Sequence, residues 1–171
     1  MDEIKAPQFP DKIFNIQDYG AVGDGHTMNT DAFAKAIQMC ADSGGGRVVV
    51  PEGIWLTGPI ELKSDIDLHL SPHAVIQFSD EFEDFSLIKS HYEGEQGVRV
   101  KPPIYGKGLE NIAITGEGII DGAGQAWRPV KKIKMTENQW NTLIASGGVV
   151  NEEGSIWWPD KGALNGSEIR E

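Results

Sequence analysis

The chain has a single cysteine, Cys40, among 171 residues. That excludes an internal disulfide framework and any multi-cysteine metal cluster. Positive charge is scarce: 15 Lys and Arg face 26 Asp and Glu, a formal net charge of −11. Such a chain has no electrostatic drive toward nucleic acid or an anionic membrane surface, and an acidic polymer would need a local basic patch to dock on. No apolar run approaches the ~18 residues of a membrane-crossing helix. The start, Met1-Asp2-Glu3-Ile4-Lys5, lacks a basic region followed by an apolar stretch, so no signal peptide is read there. What the chain has in excess is glycine, 21 residues, with nine prolines besides, so it turns often. With 24% charged and 39% hydrophobic residues it is too balanced for a disordered tail, and it is long enough for one cored domain.

Residues 1–12, with Pro7 and Pro10, read as an extended lead-in. Ile13-Phe14-Asn15-Ile16 reads as a short strand, followed by the glycine-rich turn Asp18–Gly25. A helix is expected from Asn29 or Thr30, either of which can cap it, with Asp31 in its positive first turn. Ala32, Phe33, Ala36, Ile37, Cys40 and Ala41 recur at helical spacing until Gly44-Gly45-Gly46 stops the pattern. The period then changes to two. Arg47–Val50, Ile54–Leu56, Ile60–Leu62, Asp65–Leu70, Ala74–Phe78, Asn111–Thr115 and Gly118–Asp121 read as very short strands. Residues 79–103 interrupt them as a polar excursion. Thr136-Glu137-Asn138-Gln139 is a capping box, with Met135 and Trp140 placed as a hydrophobic staple, and it predicts a helix of about ten residues ending at Gly147-Gly148. In that helix Trp140, Leu143 and Ile144 share one face. Val149–Glu171 shows few strand signals.

Many tiny strands fit either an antiparallel sandwich or a parallel solenoid. Only a Thr-Gly-Pro bend separates Ile54–Leu56 from Ile60–Leu62. A bend that tight redirects the chain without reversing it, which suits the corner of a coil. The helix at 30–42 would then lid the open end, where unpaired strand edges invite aggregation. The expected architecture is mainly β, a parallel solenoid with an N-terminal capping α-helix. Its organisation is a lead-in (1–12), capped coils (13–127) and an insertion with a short helix and irregular tail (128–171).

Three segments carry a family resemblance. They are Asn15–Gly25, Gly44–Gly53 with its continuation Leu56–Ser64, and Ile114-Thr115-Gly116-Glu117-Gly118-Ile119-Ile120-Asp121-Gly122-Ala123-Gly124-Gln125-Ala126-Trp127. Together they resemble the amino-terminal portion of glycoside hydrolase family 28, the polygalacturonases. The resemblance implies a right-handed parallel β-helix, stopping here after its first few coils, and a secreted or periplasmic location. It implies an inverting hydrolase of pectic, uronic-acid polysaccharides, with pectic polysaccharide or oligogalacturonide as partner and no cofactor. Inversion needs an acid and a water-activating base with carboxyl groups ~6.5–9.5 Å apart. The family's Asp-Asp, Gly-His-Gly and Arg-Ile-Lys motifs are absent from this sequence, and Asn29-Thr30-Asp31 matches its Asn-Thr-Asp motif in letters only, at the helix cap. The catalytic residues are therefore expected beyond this chain, which alone should be inactive. A non-catalytic, tailspike-like β-helix and a polysaccharide lyase are the rival readings. An open coil end would also permit self-association.

Other candidates are weaker. Gly20, Gly23 and Gly25 precede a helix but lack P-loop spacing, and a tight turn with Asp24 bonding nearby amides accounts for them. His69 and His73, with Pro72 between and no third partner, make a poor zinc site. Cys40 lies on the apolar helix face as a buried, inert thiol. Asn165-Gly166-Ser167 is a sequon of the kind that arises by chance. The basic cluster Trp127-Arg128-Pro129-Val130-Lys131-Lys132-Ile133-Lys134 stands out in so acidic a chain. Cations suit a carboxylate-rich polymer, and aromatic faces such as Trp127, Trp157 and Trp158 suit sugar rings. A solvated basic loop with packed tryptophans is the heavier reading, and Trp127, Arg128, Lys131 and Lys132 are the candidate substrate-binding residues.

Overall fold

A computed structural model describes residues 6–92, 94–159 and 161–165. Strand β1 (Ile13–Asn15) runs into a 3-10 turn (Ile16–Tyr19), then α1 (Thr30–Asp42) and β2 (Gly46–Val50). Next come β3 (Gly53–Thr57), β4 (Ile60–Glu61), β5 (Ile66–Leu70) and β6 (Ala74–Phe78). A 3-10 turn (Phe82–Asp84) leads to β7 (Leu87–Tyr92) and β8 (Glu95–Val100), followed by β9 (Ile104–Tyr105), β10 (Ala113–Gly116) and β11 (Ile119–Asp121). After these lie α2 (Gly124–Trp127), β12 (Val130–Lys131), a 3-10 turn (Lys132–Lys134) and α3 (Glu137–Ala145). Strands β13 (Val149–Val150) and β14 (Ile156–Trp158) precede α4 (Lys161–Asn165). The chain divides into two compact units. The first takes the described residues through Ser79 together with Pro102–Gly122; the second takes Asp80–Lys101 and the described residues from Ala123 on.

The first unit is a stack of coils. Its sheets run β1-β2-β5-β10, β3-β6-β11 and β4-β9, every pair parallel and in register. Residues at one height therefore align as columns: Val48, Leu68 and Ile114 in one sheet, Trp55, Ile76 and Ile120 in the next. Val48, Leu68, Trp55 and Ile76 are wholly buried, and each such side chain contributes about 1.5–3 kcal/mol of transfer free energy. This is the expected parallel β-helix, and the alternation of period two is its inward and outward pleat.

The corners are as repetitive as the strands. Gly45 (φ 98°), Asp65 (φ 63°) and Asn111 (φ 53°) open successive coils, all in the left-handed region. Gly46 N–H donates to Asp65 O (3.0 Å) and Asp65 N–H to Glu110 O (3.1 Å), so the corners stack backbone on backbone. A Cβ on Gly45 would lie 2.4 Å from Asp65 O, which leaves glycine the one residue able to start the column. Asn111 ends it. Its Nδ2 donates to Asp65 Oδ1 (2.9 Å) and to Gln8 O (2.8 Å), holding the lead-in against the coils.

Helix α1 buries Ala32, Phe33, Ala36, Ile37 and Cys40, the face its periodicity predicts. Two local expectations are corrected. Ile16 begins a 3-10 turn instead of ending the first strand. Asn29 stands at the N-cap position, but its side chain caps nothing. It is buried, accepts from Val22 N–H (2.7 Å), and donates Nδ2 to Val22 O, Thr27 O and Leu56 O. An amide both donates and accepts, so it can tie the glycine-rich turn to β3, which a cap could not do.

In the second unit β7 and β8 pair as an antiparallel hairpin, where the sequence suggests only a polar excursion. Thr136 and Gln139 form the expected capping box on α3, with Gln139 Oε1 accepting from Thr136 N–H at 2.9 Å. Trp140 is buried, whereas Ile144 is exposed and shares no buried face with it. The tail is not bare of strands: β12, β14 and β13 form an antiparallel sheet in that order. Pairs and triplets of residues are too short to show a period, and contacts made at a distance create them.

Asn29→Ala should cost about 2–3 kcal/mol, because it strands Val22 N–H, Val22 O and Thr27 O around a buried side chain, while Leu56 O keeps the Asn29 N–H. The measurement is the shift of the urea midpoint, and a loss below about 0.5 kcal/mol would mean that the turn is held otherwise.

Candidate functional site

Four polar side chains meet on the outward face of the first sheet, in unit one. Asp67 is 1% exposed although it points away from the core column. Arg47 Nε reaches its Oδ2 at 2.7 Å, and Thr115 Oγ1 donates to its Oδ1 at 2.7 Å. His69 Nδ1 lies 2.8 Å from Thr115 Oγ1. The single hydroxyl proton of Thr115 is committed to Asp67, so His69 donates through Nδ1 and cannot activate the hydroxyl as a nucleophile. The group is a ladder that compensates a buried carboxylate, and it takes His69 out of the zinc pairing with His73. His73 itself sits at a corner with φ 62°.

The glycine-rich turn is equally occupied. The Asp24 carboxylate accepts from the amides of His26 (2.8 Å) and Thr27 (2.7 Å) and from the Thr27 hydroxyl (2.7 Å), and Gly25 N–H donates to Ile54 O. The amides that a phosphate would require are already satisfied. Asn29 and Thr30 serve the fold as well, since Thr30 Oγ1 accepts from Gly58 N–H at 2.8 Å. Neither is available for chemistry. Cys40 is buried, and desolvation raises its thiol to about 11, which leaves it un-ionised and inert at neutral pH. Of the sequon, Asn165 ends α4 and the two following residues lie outside the described ones.

The basic cluster lies in unit two and divides in two. Trp127 closes α2 and packs on Phe82 and Phe85, with ring centroids 4.2 and 4.8 Å away. It is half-buried in an aromatic knot instead of standing as an open stacking face. The exposed Arg128 begins the next segment, its guanidinium close above Gly124. Lys131 and Lys132 line an open depression of about 630 Å³ with Ile133 and the turn Glu153–Ile156. Lys132 Nζ stands 5.9 Å from the centre of the Trp140 ring. Ile133, between lysines, is 91% exposed. Trp157 is buried, with Nε1 donating to Gly147 O at 2.8 Å, so it braces the sheet from within.

Charge density alone does not reveal the opposite wall. Its signal is the turn sequence Asn151-Glu152-Glu153-Gly154-Ser155: Asn151 Oδ1 accepts from the amides of Ser155 (2.9 Å) and Ile156 (2.8 Å), fixing the loop. Among the described residues no group of three or more His, Cys, Asp or Glu is arranged to hold a metal.

The sequence profile described as Rhamnogalacturonase A/epimerase, pectate lyase-like matches residues 13–161. Exo-poly-alpha-D-galacturonosidase of Dickeya chrysanthemi is 39% identical over 66% of this chain and 20% of its own length. Among solved structures, a hyperthermoactive exopolygalacturonase from Thermotoga maritima superposes with a TM-score of 0.65 at 41% identity, over 70% of this chain and 27% of the other. The family 28 exopolygalacturonase of Yersinia enterocolitica gives 0.64 at 27% identity, over 94% and 31%. The chain spans 20–25% of the length of the first curated relatives it matches.

One expected outcome concerns the turn beside α1. Hydrogen bonds from the Thr27 and His26 amides, with the Thr27 hydroxyl, lower the Asp24 pKa from 3.8 to about 2. The ionised form is favoured in the folded state, so its contribution is complete above pH ~3.8 and disappears as pH falls through about 2. An NMR titration of the Asp24 carboxyl carbon should show that low midpoint, and Thr27→Ala should raise it; a wild-type midpoint near ~3.9 would reject the bonded turn.

Proposed function

The chain belongs to the rhamnogalacturonase A/epimerase, pectate lyase-like family, and on that premise we propose that it is the amino-terminal part of an enzyme hydrolysing pectic polysaccharide. Its likeness is to the amino-terminal portion of polygalacturonases of glycoside hydrolase family 28. The observation that carries the proposal is this likeness, at 39–41% identity for two of those relatives, on a stack of in-register coils behind a helical lid. Residues 13–127 supply the capped coils and 128–171 the insertion.

The reaction is inverting hydrolysis of a glycosidic bond between uronic-acid residues. One carboxylic acid protonates the leaving oxygen while a second carboxylate activates water on the opposite face of the ring. In this reading both belong to coils outside these 171 residues, since the sequence lacks the family's Asp-Asp, Gly-His-Gly and Arg-Ile-Lys motifs, and Asn29 and Thr30 of the one matching triplet are engaged by the fold. What this segment contributes is binding. Lys131 and Lys132 supply cationic charge for the polymer's carboxylates, with Arg128 and Trp127 beside them. A protein acting on plant-wall polymer works outside the cytoplasm, so it is secreted or periplasmic.

Two measurements test the proposal. The purified chain should release no reducing ends from polygalacturonate, and Lys131→Glu/Lys132→Glu should weaken oligogalacturonate binding by roughly tenfold or more. Hydrolysis abolished by a single Asp substitution would overturn the first expectation, and unchanged affinity the second.

The free end of the stack suggests how the segment behaves alone. Among the described residues β9, β10 and β11 each pair with one strand, and Ile114 and Ile120 remain 46% and 40% exposed where their column neighbours are buried. Pairing of two such edges makes a dimer. Sedimentation should show it, with Ile114→Lys/Ile120→Lys returning a monomer, whereas a monomeric parent would refute the pairing.

A further inference from the structure

The depression beside Lys131 and Lys132 has two chemically different walls. β12 and β14 pair with Lys131 opposite Ile156, and Lys132 N–H donates to Ser155 O at 2.9 Å. The cationic wall and the Glu153–Ile156 wall are therefore locked together by backbone, and the Asn151 side chain fixes the second wall from behind. Glu153 Oε2 lies 3.5 Å from Ser155 Oγ, so a carboxylate and a hydroxyl stand side by side in the depression that the lysines also line. The volume of about 630 Å³ falls in the range of ordinary ligand sites.

A carboxylate sharing a depression with two lysines is a poor arrangement for binding a bare anion. It suits a ligand that is anionic along one edge and rich in hydroxyl donors along the other. A hexuronate ring has that asymmetry, with a carboxylate on C5 and vicinal hydroxyls on C2 and C3 across the ring. We propose that Glu153 and Ser155 form the hydroxyl-reading wall of a uronate subsite whose carboxylate-reading wall is Lys131 and Lys132, an inference that rests on the polysaccharide-binding role given to those lysines above. The Glu153 carboxylate accepts from the sugar hydroxyls, and Ser155, whose Oγ accepts from Asn151 Nδ2 at 3.2 Å, is held beside it as a neutral partner. The exposed side chain of Ile133 offers an apolar surface to the ring's C–H face. Glu153 is thereby a specificity residue, admitting a uronate with free hydroxyls over one whose hydroxyls are blocked and over simple anions.

The test is calorimetric titration of the whole chain with trigalacturonate, with the same trisaccharide O-acetylated at O2 and O3, and with inorganic sulfate. The parent should bind the free trisaccharide roughly tenfold more tightly than the acetylated one, the loss expected for hydrogen bonds to a charged acceptor, and should bind sulfate more weakly than either. Glu153→Gln/Ser155→Ala should lose that preference, while Lys131→Glu/Lys132→Glu should weaken both sugars alike. Unchanged Trp fluorescence in the variants confirms that the sheet is intact. A preference that survives Glu153→Gln/Ser155→Ala, or a Glu153→Gln variant that binds both sugars more tightly, overturns the hydroxyl wall while leaving the lysine site standing. Lysine variants that bind like the parent remove the basic site itself, and the wall with it.

Discussion

In-register stacking of coils is the constraint that everything else in the first unit obeys. Each strand has only two to five residues, too few to hold a sheet by itself. Stability comes from repeating the same height of side chain and the same corner conformation, coil after coil. The corner residues show how strict this is. Gly45, Asp65 and Asn111 share a left-handed backbone, yet only the first must be glycine, because only its missing Cβ makes room for the carbonyl of the coil above. Aspartate and asparagine tolerate that backbone better than most residues and turn it to use as side-chain donors and acceptors.

The outward face shows the same economy. Arg47, Asp67 and Thr115 come from three successive strands that register brings side by side, and their bonds converge on one carboxylate. A buried acid would be expensive alone. With a guanidinium and a hydroxyl supplied by its neighbours, it becomes a staple between coils. The residues that look most reactive in unit one, Asp67, His69, Thr115 and Asp24, are thus bound to one another or to nearby amides. The depression lined by Lys131, Lys132 and the turn Glu153–Ile156 lies in the second unit, beside its three-stranded sheet.

Much of this is legible in sequence, for physical reasons. Helix α1 declares itself through apolar spacing, α3 through its capping box, and the coils through period-two runs joined by bends that cannot reverse the chain. Asn29 misleads because the preference for a cap and the need for a two-way hydrogen-bonding hub select the same side chain. Strands β12 to β14 are invisible since two or three residues cannot express a period. The packing of Trp127 cannot be read locally, because its aromatic partners, Phe82 and Phe85, lie some forty residues earlier across the excursion. Lys131 and Lys132 stand out in the sequence by their charge, whereas the turn Glu153–Ile156 is brought beside them only by the pairing of β12 with β14.

The hairpin of β7 and β8 is inserted between β6 and β9, within a single coil. Partners on the first and second coils, Arg47 and Asp67, are 20 residues apart, whereas His69 and Thr115 on the second and third are 46 apart. Closing a flexible loop of twice the length costs only about 0.6 kcal/mol more. Chain length at that junction is therefore nearly free of thermodynamic penalty, provided both ends re-enter the columns at the right height. A scaffold of this kind can be lengthened, shortened or given a new appendage at one corner while the remaining coils keep their pairing, which makes the excursion the natural place for related proteins to differ.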